Sequence, residues 1–197
     1  MRFILIACLF LSQFALQAQT ARRLELLFLG DKGHHKPFDR LPALQSAVGV
    51  KGMNITYTES LNDLNPAYLN KFDALVIYAN HDSIPAANEK ALLGYVASGH
   101  GLVAIHCASF NFRNSKDFVK MVGGQFWRHG MDSIRVKNEA NTNVQIKTVD
   151  ETYLHAYLQP DNQIWQSRIV GPEQAKDKPG VATEPYTWTR TFGKGNV

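Results

Sequence analysis

Apolar positions along the chain alternate between two spacings, and each spacing predicts an element. Leu24 to Leu29 is an apolar run broken only by Glu25 and closed by Gly30-Asp31, the pattern of a buried parallel strand and its exit loop. Phe38, Leu41, Leu44, Ala47 and Val48 then recur at helical spacing, and Asn54 to Glu59 alternates as a strand. Asn65-Pro66 opens a helical turn through Leu69, and Ala74 to Ala79 is again an apolar strand. Pro85 starts a helix through Ala97, stopped by Ser98-Gly99-His100-Gly101, and Leu102 to Ile105 is the fourth strand. Strands alternating with helices predict a doubly wound, mainly parallel α/β sheet, with right-handed crossovers that put helices on both faces. Beyond residue 130 the pattern turns strand-rich. Met131 to Val136, Val144 to Val149, Ile164 to Ile169 and Tyr186 to Phe192 read as strands, and Gly171 to Thr183 as the longest loop.

The first residues belong to a different pattern. Met1-Arg2, an apolar stretch from Phe3 to Leu11 and the small-residue site at Ala18-Gln19 form a secretory signal, too short to span a bilayer as about 20 residues would. The expected organisation is a leader over residues 1–18 and one domain over 19–197, exported to the periplasm or beyond. Loss of the leader removes Cys8 and leaves Cys107 without an intrachain disulfide partner. The 197 residues are 45% hydrophobic with a scattered net charge of +4, enough for one sizeable core and without the basic stripe of a nucleic-acid binder. Gly193-Lys194-Gly195 lacks the strand-then-helix setting of a phosphate cradle, so no nucleotide cofactor is expected.

In open α/β sheets ligands bind beyond the carboxyl ends of the strands. Three histidine-bearing loops fall there: Asp31, His34 and His35 after the first strand, Asn80 and His81 after the third, and His106, Cys107 and Ser109 after the fourth. His129, read as ending the helix that follows the fourth strand, joins them. Imidazoles shuttle protons or ligate metal, and Asp31 or Asp82 is placed to orient one. Cys107 occupies a strand-to-helix turn like a hydrolase nucleophile elbow, but Ile105 stands where a small residue is preferred, and neither His129 nor His155 belongs to a His-x-Glu pair; a packed thiol is the stronger reading. Asp150-Glu151-Thr152-Tyr153 puts paired carboxylates at the end of a strand, and Trp127, Trp165, Tyr186 and Trp188 offer faces for a sugar ring. A divalent metal on His34, His35 and His106 is a weaker alternative, since no ligand-spaced His pair supports it.

Four blocks carry a family resemblance: Gly30-Asp31-Lys32-Gly33-His34-His35-Lys36-Pro37, Asp73 to Asn80, Gly99 to Ala108, and Val122-Gly123-Gly124-Gln125-Phe126 with His129-Gly130. Asp150 to Tyr153, and Pro185-Tyr186-Thr187-Trp188 with Gly193-Lys194-Gly195, extend it in order over nearly all of the mature chain. The chain thus resembles the ThuA-like (trehalose-utilisation) family. The resemblance implies a flavodoxin-like, class I glutamine amidotransferase-like fold and a small-molecule carbohydrate or keto-sugar as ligand. It also implies dehydrogenase-like or haem-bearing partner domains. It maps the family's site histidines onto His106 and His129. The acid and base chemistry is expected from these two, with Asp31 or Glu151 assisting. His34, His35, Asn80, His81, Cys107, Ser109, Trp127, Tyr153 and Trp188 are the expected substrate contacts. A sugar-binding module without turnover is the reading from a different class. Two departures stand out: Asn141-Thr142-Asn143-Val144 replaces the family's His-Pro-Ile segment, and the family's final strand, ending in Gly-His, is expected to be missing after the Gly-Lys-Gly turn.

Overall fold

A computed structural model describes residues 22–197 except Thr142, so the leader assigned to residues 1–18 lies outside the described residues. The chain opens with β1 (Leu24–Leu29), α1 (Pro37–Gly49), β2 (Met53–Thr58), α2 (Pro66–Leu69), β3 (Ala74–Ile77), α3 (Ala86–Ala97) and β4 (Gly101–Ala104). A 3-10 turn (His106–Phe110) and α4 (Lys116–Val122) follow. The strands form one parallel sheet in the order β2-β1-β3-β4. Both faces of β1 are apolar and both are covered. Leu27 and Leu29 pack with Leu75, Ile77 and Leu102 under α2, α3 and α4, while Leu26, Phe28 and Val76 pack under Leu41, Leu44 and Val48 of α1. Helix starts follow local chemistry: Pro37 and Pro66 sit in first turns, and the side chains of Asn65 and Ser115 accept from Tyr68 N and Phe118 N.

Two expectations change beyond α4. The helix stops at Gly123, whose φ of 88° is the left-handed closure glycine supplies, and the residues before His129 form a strand, β5 (Gly124–Arg128). His129 therefore follows a strand rather than ending a helix. The remaining elements are β6 (Met131–Asn138), β7 (Val144–Glu151), β8 (Leu154–Leu158), β9 (Gln163–Ile169), α5 (Pro172–Ala175), β10 (Thr183–Thr189), β11 (Thr191–Phe192) and β12 (Gly195–Asn196). Strand β8, which the apolar pattern does not announce, pairs antiparallel with β5. An antiparallel sheet runs β10-β9-β6-β7, and Asp150 and Glu151 complete its last strand instead of following it. The β11–β12 turn returns to the parallel half, where Lys194 N donates to Ala97 O. Among the described residues no helix is long and apolar enough to cross a membrane. The molecule is thus mixed α/β: a parallel four-stranded sheet with further antiparallel sheets.

Candidate active site at the strand ends

The chain leaves β4 through an extended Ile105 and enters His106 at φ 53°, one of three non-glycine residues with positive φ among the described residues. A left-handed L-residue costs roughly 1 to 2 kcal/mol and persists only where its surroundings enforce it. Here Ile105 N donates to Ile77 O at 2.9 Å, Ala108 N to Ile105 O at 3.0 Å and Ser109 Oγ to His106 O at 3.2 Å. Ser109 is buried as a staple of this turn, not as a substrate contact. The elbow residue is His106, one position before the cysteine. Cys107 points inward at 2% exposure, and burial, reinforced by the Asp31 carboxylate, pushes its thiol up to about 12. A thiol held protonated in this way is a packed side chain rather than a nucleophile.

The imidazole of His106 is the centre of a cluster drawn from both halves of the molecule. Its Nε2 lies 3.2 Å from Glu151 Oε2 at the end of β7 and 3.3 Å from the Tyr153 hydroxyl. The Tyr153 ring stacks on it at 4.6 Å, and His35 meets it edge-on at 4.7 Å. His34 lies against His35 at 3.9 Å, and His129 reaches Glu151 with Nε2 at 3.9 Å. Tyr78, at the end of β3, and Phe126, on β5, complete the aromatic wall at 5.9 Å from His106 and 4.5 Å from Tyr153. Burial lowers the His106 pKa despite the opposing pull of Glu151. Burial, then the neighbouring His106 and His34, lowers that of His35. Burial and the Glu151 carboxylate raise the Tyr153 pKa well above the ordinary phenol value. At neutral pH the site therefore presents neutral imidazoles at positions 35 and 106, able to accept protons, beside a phenol able to donate one.

Other expected residues are placed elsewhere. Asp31 accepts from Gly33 N at 2.7 Å and from Asn80 N, so its carboxylate ties the loops after β1 and β3 together instead of orienting a histidine. With His34, His35, Glu59, Asn80 and His81 it lines a cleft of about 400 Å³ beside the cluster. Asn80 Oδ1 accepts from Arg113, and His81 stacks on Phe112 with Nε2 3.2 Å from Gly30 O, so both brace that cleft. Asp82 pairs with Arg113, not with a histidine. Trp127 is exposed beneath Arg128, whereas its neighbour Phe126 faces the site. Trp188 donates to Val122 O and packs on His155, fastening β10 to the end of α4. Tyr78 and Phe126 are the wall residues that sequence reasoning missed; the strand-end rule applied to Tyr78, and the Phe-x-x-His-Gly block contained Phe126.

A buried polar clasp holds the segment carrying Glu151 and Tyr153. Gln174 Nε2 donates to Thr152 O, and Arg168 Nη2 to Tyr153 O at 2.9 Å. His155 N donates to Glu184 Oε1 at 2.8 Å, and Lys178 Nζ reaches the same carboxylate at 2.9 and 3.1 Å. Thr152 N donates to Gly130 O, which fixes His129 relative to Tyr153. Of the metal donors expected from the sequence, His34 and His35 converge with Glu151 rather than with His106: one ligand atom from each lies within 4.8 Å of the others.

A model of the ThuA family, described as trehalose utilisation, matches residues 26–197. Among solved structures, a ThuA-like protein from Bacteroides uniformis is similar at 16% identity and TM-score 0.66, over 88% of this chain and 79% of that one. A ThuA-like protein from Parabacteroides merdae is similar at 15% identity and TM-score 0.68, over 89% and 77%. A cold-adapted β-galactosidase from Rahnella sp. R3 shares the fold at 10% identity and TM-score 0.57, over 89% of this chain but 28% of the enzyme. A comparison with curated proteins gives no match. With the match extending from β1 to the last residue, and with the same fold in two ThuA-like structures, the chain belongs to the ThuA family.

Proposed function

We propose that the chain binds a small carbohydrate at this rim and moves a proton next to a carbonyl on it. The observation that carries the reading is the placement of His106: a strained elbow residue whose Nε2 lies between a carboxylate and a phenol, both within 3.3 Å. A neutral imidazole beside a protonated tyrosine is the pairing needed to take a proton from carbon while a hydrogen bond supports the developing enolate oxygen. Glycoside cleavage needs two free carboxyl groups across the scissile bond. Here Glu151 alone serves the cluster: Asp31 is occupied by backbone N–H groups, and Asp150 alternates to the other face of β7, with its own Oδ1 accepting from Glu151 N. A sugar is the favoured ligand because Tyr153, Tyr78 and Phe126 supply ring faces, the family is described by trehalose utilisation, and a similar structure is named a β-galactosidase. A keto-sugar would arise by oxidation, which suits the dehydrogenase-like or haem-bearing partners implied by the family resemblance. A leader at residues 1–18 would put this activity outside the cytoplasm; the N-terminus of the protein recovered from the source cells and their medium, read by mass spectrometry, tests that proposal.

The test is proton exchange. Incubated in D2O with the keto form of trehalose and with other keto-disaccharides, the protein should incorporate deuterium next to the carbonyl, read by NMR. His106→Ala should slow exchange by about 10²- to 10⁴-fold, the usual contribution of a positioned acid or base. Exchange unchanged in that variant, or sugar affinity with no exchange in the wild type, would overturn the reading, and the second result would favour a binding module.

A further inference from the structure

The Glu151 carboxylate and the adjacent pair His34-His35 point to more than a proton relay. We propose that His34, His35 and Glu151 bind a divalent transition-metal ion of the zinc type on the open side of the cluster. This deepens the reading of the site as an active centre, but metal binding itself is testable without any sugar.

The donor set is two imidazoles and one carboxylate, with the ligand atoms within 4.8 Å of one another. Metal bonds of about 2.0 to 2.2 Å require such donors to draw closer by about an ångström. The rotation of His34, exposed on the loop after β1, can supply that closure. The loop is otherwise fixed, with Gly33 N bound to Asp31 and Lys36 N to Gly33 O. A second, independent observation is Glu151 Oε2, which is fully buried and has no hydrogen-bond partner. His106 and His129 face it at 3.2 and 3.9 Å, out of hydrogen-bond alignment. A buried carboxylate oxygen without a donor is costly, and a cation beside it removes the cost.

The chemistry of the donors selects the ion. Imidazole nitrogen with a single carboxylate suits zinc, nickel or cobalt, whereas magnesium and calcium prefer all-oxygen shells. Among the described residues the one cysteine, Cys107, is buried and lies outside this donor group. Three protein ligands leave a coordination position free for water or for the carbonyl and hydroxyl oxygens of a sugar, as in catalytic rather than structural zinc sites. His106 and His129 lie within reach of such an oxygen without being ligands. The metal would polarise the carbonyl while His106 exchanges the proton.

The experiment is a Zn²⁺ titration of chelator-treated full-length protein against a chromophoric competitor, with X-ray absorption on the loaded form. One ion per chain is expected, with a nitrogen and oxygen shell and no sulfur. His35→Ala and Glu151→Gln should each weaken binding at least 100-fold, and Cys107→Ser should leave it unchanged. Wild-type Tm should rise by about 5 to 11 °C at 100 times the dissociation constant. Variant folding is checked by circular dichroism; should Glu151→Gln unfold, His35→Ala on the loop carries the test. Binding of equal strength in both variants, a sulfur ligand, or no binding tighter than millimolar would overturn the proposal. Sugar-dependent stabilisation of the metal-free protein is measured in parallel. If it occurs while zinc fails to bind, the metal inference falls and the carbohydrate reading stands; if zinc binds and no sugar does, the reverse holds.

Discussion

The two halves of the molecule are stabilised by different means. In the parallel half every buried member of the larger apolar cluster lies before residue 123, and the sheet is sealed on both faces by aliphatic and aromatic side chains. Among the described side chains, the antiparallel half buries few large apolar ones, Ile134, Val136 and Leu154, and encloses Thr152, His155, Ser167, Arg168, Gln174 and Glu184 instead. One half is a hydrophobic scaffold that delivers histidines on loops. The other is a polar clasp that delivers Glu151, Tyr153 and His129. An apolar core is forgiving of direction, while a buried carboxylate bonded to His155 and Lys178 fixes orientation. The difference assigns stability mainly to the first half and alignment of the site to the second.

The largest effects should come from a matched pair of deletions. Phe28→Ala empties a fully buried aromatic position and should cost about 3 to 5 kcal/mol, like other core aromatic truncations. Glu184→Ala strips the shared partner from His155 and Lys178 and should cost a similar 3 to 5 kcal/mol, the usual result of breaking a buried ion pair. Their pH dependence separates them. Burial tends to raise the Glu184 pKa, but hydrogen bonds from His155 and Lys178 outweigh it and the net shift is downward. The unfolded chain then binds the proton first, so the Glu184 contribution is complete above its ordinary value of 4.5 and fades as pH falls below it. Urea unfolding from pH 7 to 3 should show the Glu184→Ala deficit shrinking and the Phe28→Ala deficit constant. A constant deficit for both would remove the distinction between the halves.

A smaller effect is expected at the joint. Gly123 closes α4 in the left-handed region, and a Cβ there would run into Asn162 Oδ1 and Arg190 Cδ. Gly123→Ala should cost about 1 to 3 kcal/mol, the range for an enforced backbone strain. Because Gly123 O also accepts from Asn162 and Gln159, the substitution should loosen β5 against β8 and expose their amides to hydrogen exchange before those of β1 and β3. Uniform loosening of all four strands would show that the halves unfold as one unit.

How far the sequence reveals each half follows the same division. Strands β1, β3 and β4 are legible as apolar runs punctuated by Gly30-Asp31, Pro85 and Gly99 to Gly101, and β2 as an alternating segment; the strand-end rule then locates the histidine loops. Strand β5 is not legible: Gly124-Gln125-Phe126-Trp127-Arg128 has no clean alternation, and its pairing with β8 contains register shifts at Phe126. The choice of Trp127 over Phe126 is the same error, one step along a strand that the pattern did not reveal. The elbow was placed one residue late because a φ of 53° at a histidine is enforced by its surroundings and contradicts local preference. The clasp was invisible because Glu184 and His155 are 29 residues apart, a proximity that only the assembled sheets create.

The smallest predicted effect tests where the parallel half departs from being a relaxed scaffold. At an ordinary position, glycine is less stable than alanine by roughly 0.5 to 1 kcal/mol because the unfolded chain gains freedom. His106 sits at φ 53°, where alanine keeps the steric penalty of a Cβ and glycine does not. His106→Gly and His106→Ala lose the same imidazole, the same stacking on Tyr153 and the same approach to Glu151, so their difference isolates the backbone. His106→Gly should be more stable than His106→Ala by about 1 kcal/mol in urea unfolding, the reverse of the usual order, while both lack proton exchange. Alanine equal to or better than glycine would mean that the elbow stores no strain, and that His106 is presented by the turn's hydrogen bonds alone. The predicted order would mean that the apolar half gives up stability at one residue in order to aim its imidazole at the carboxylate that the polar half supplies.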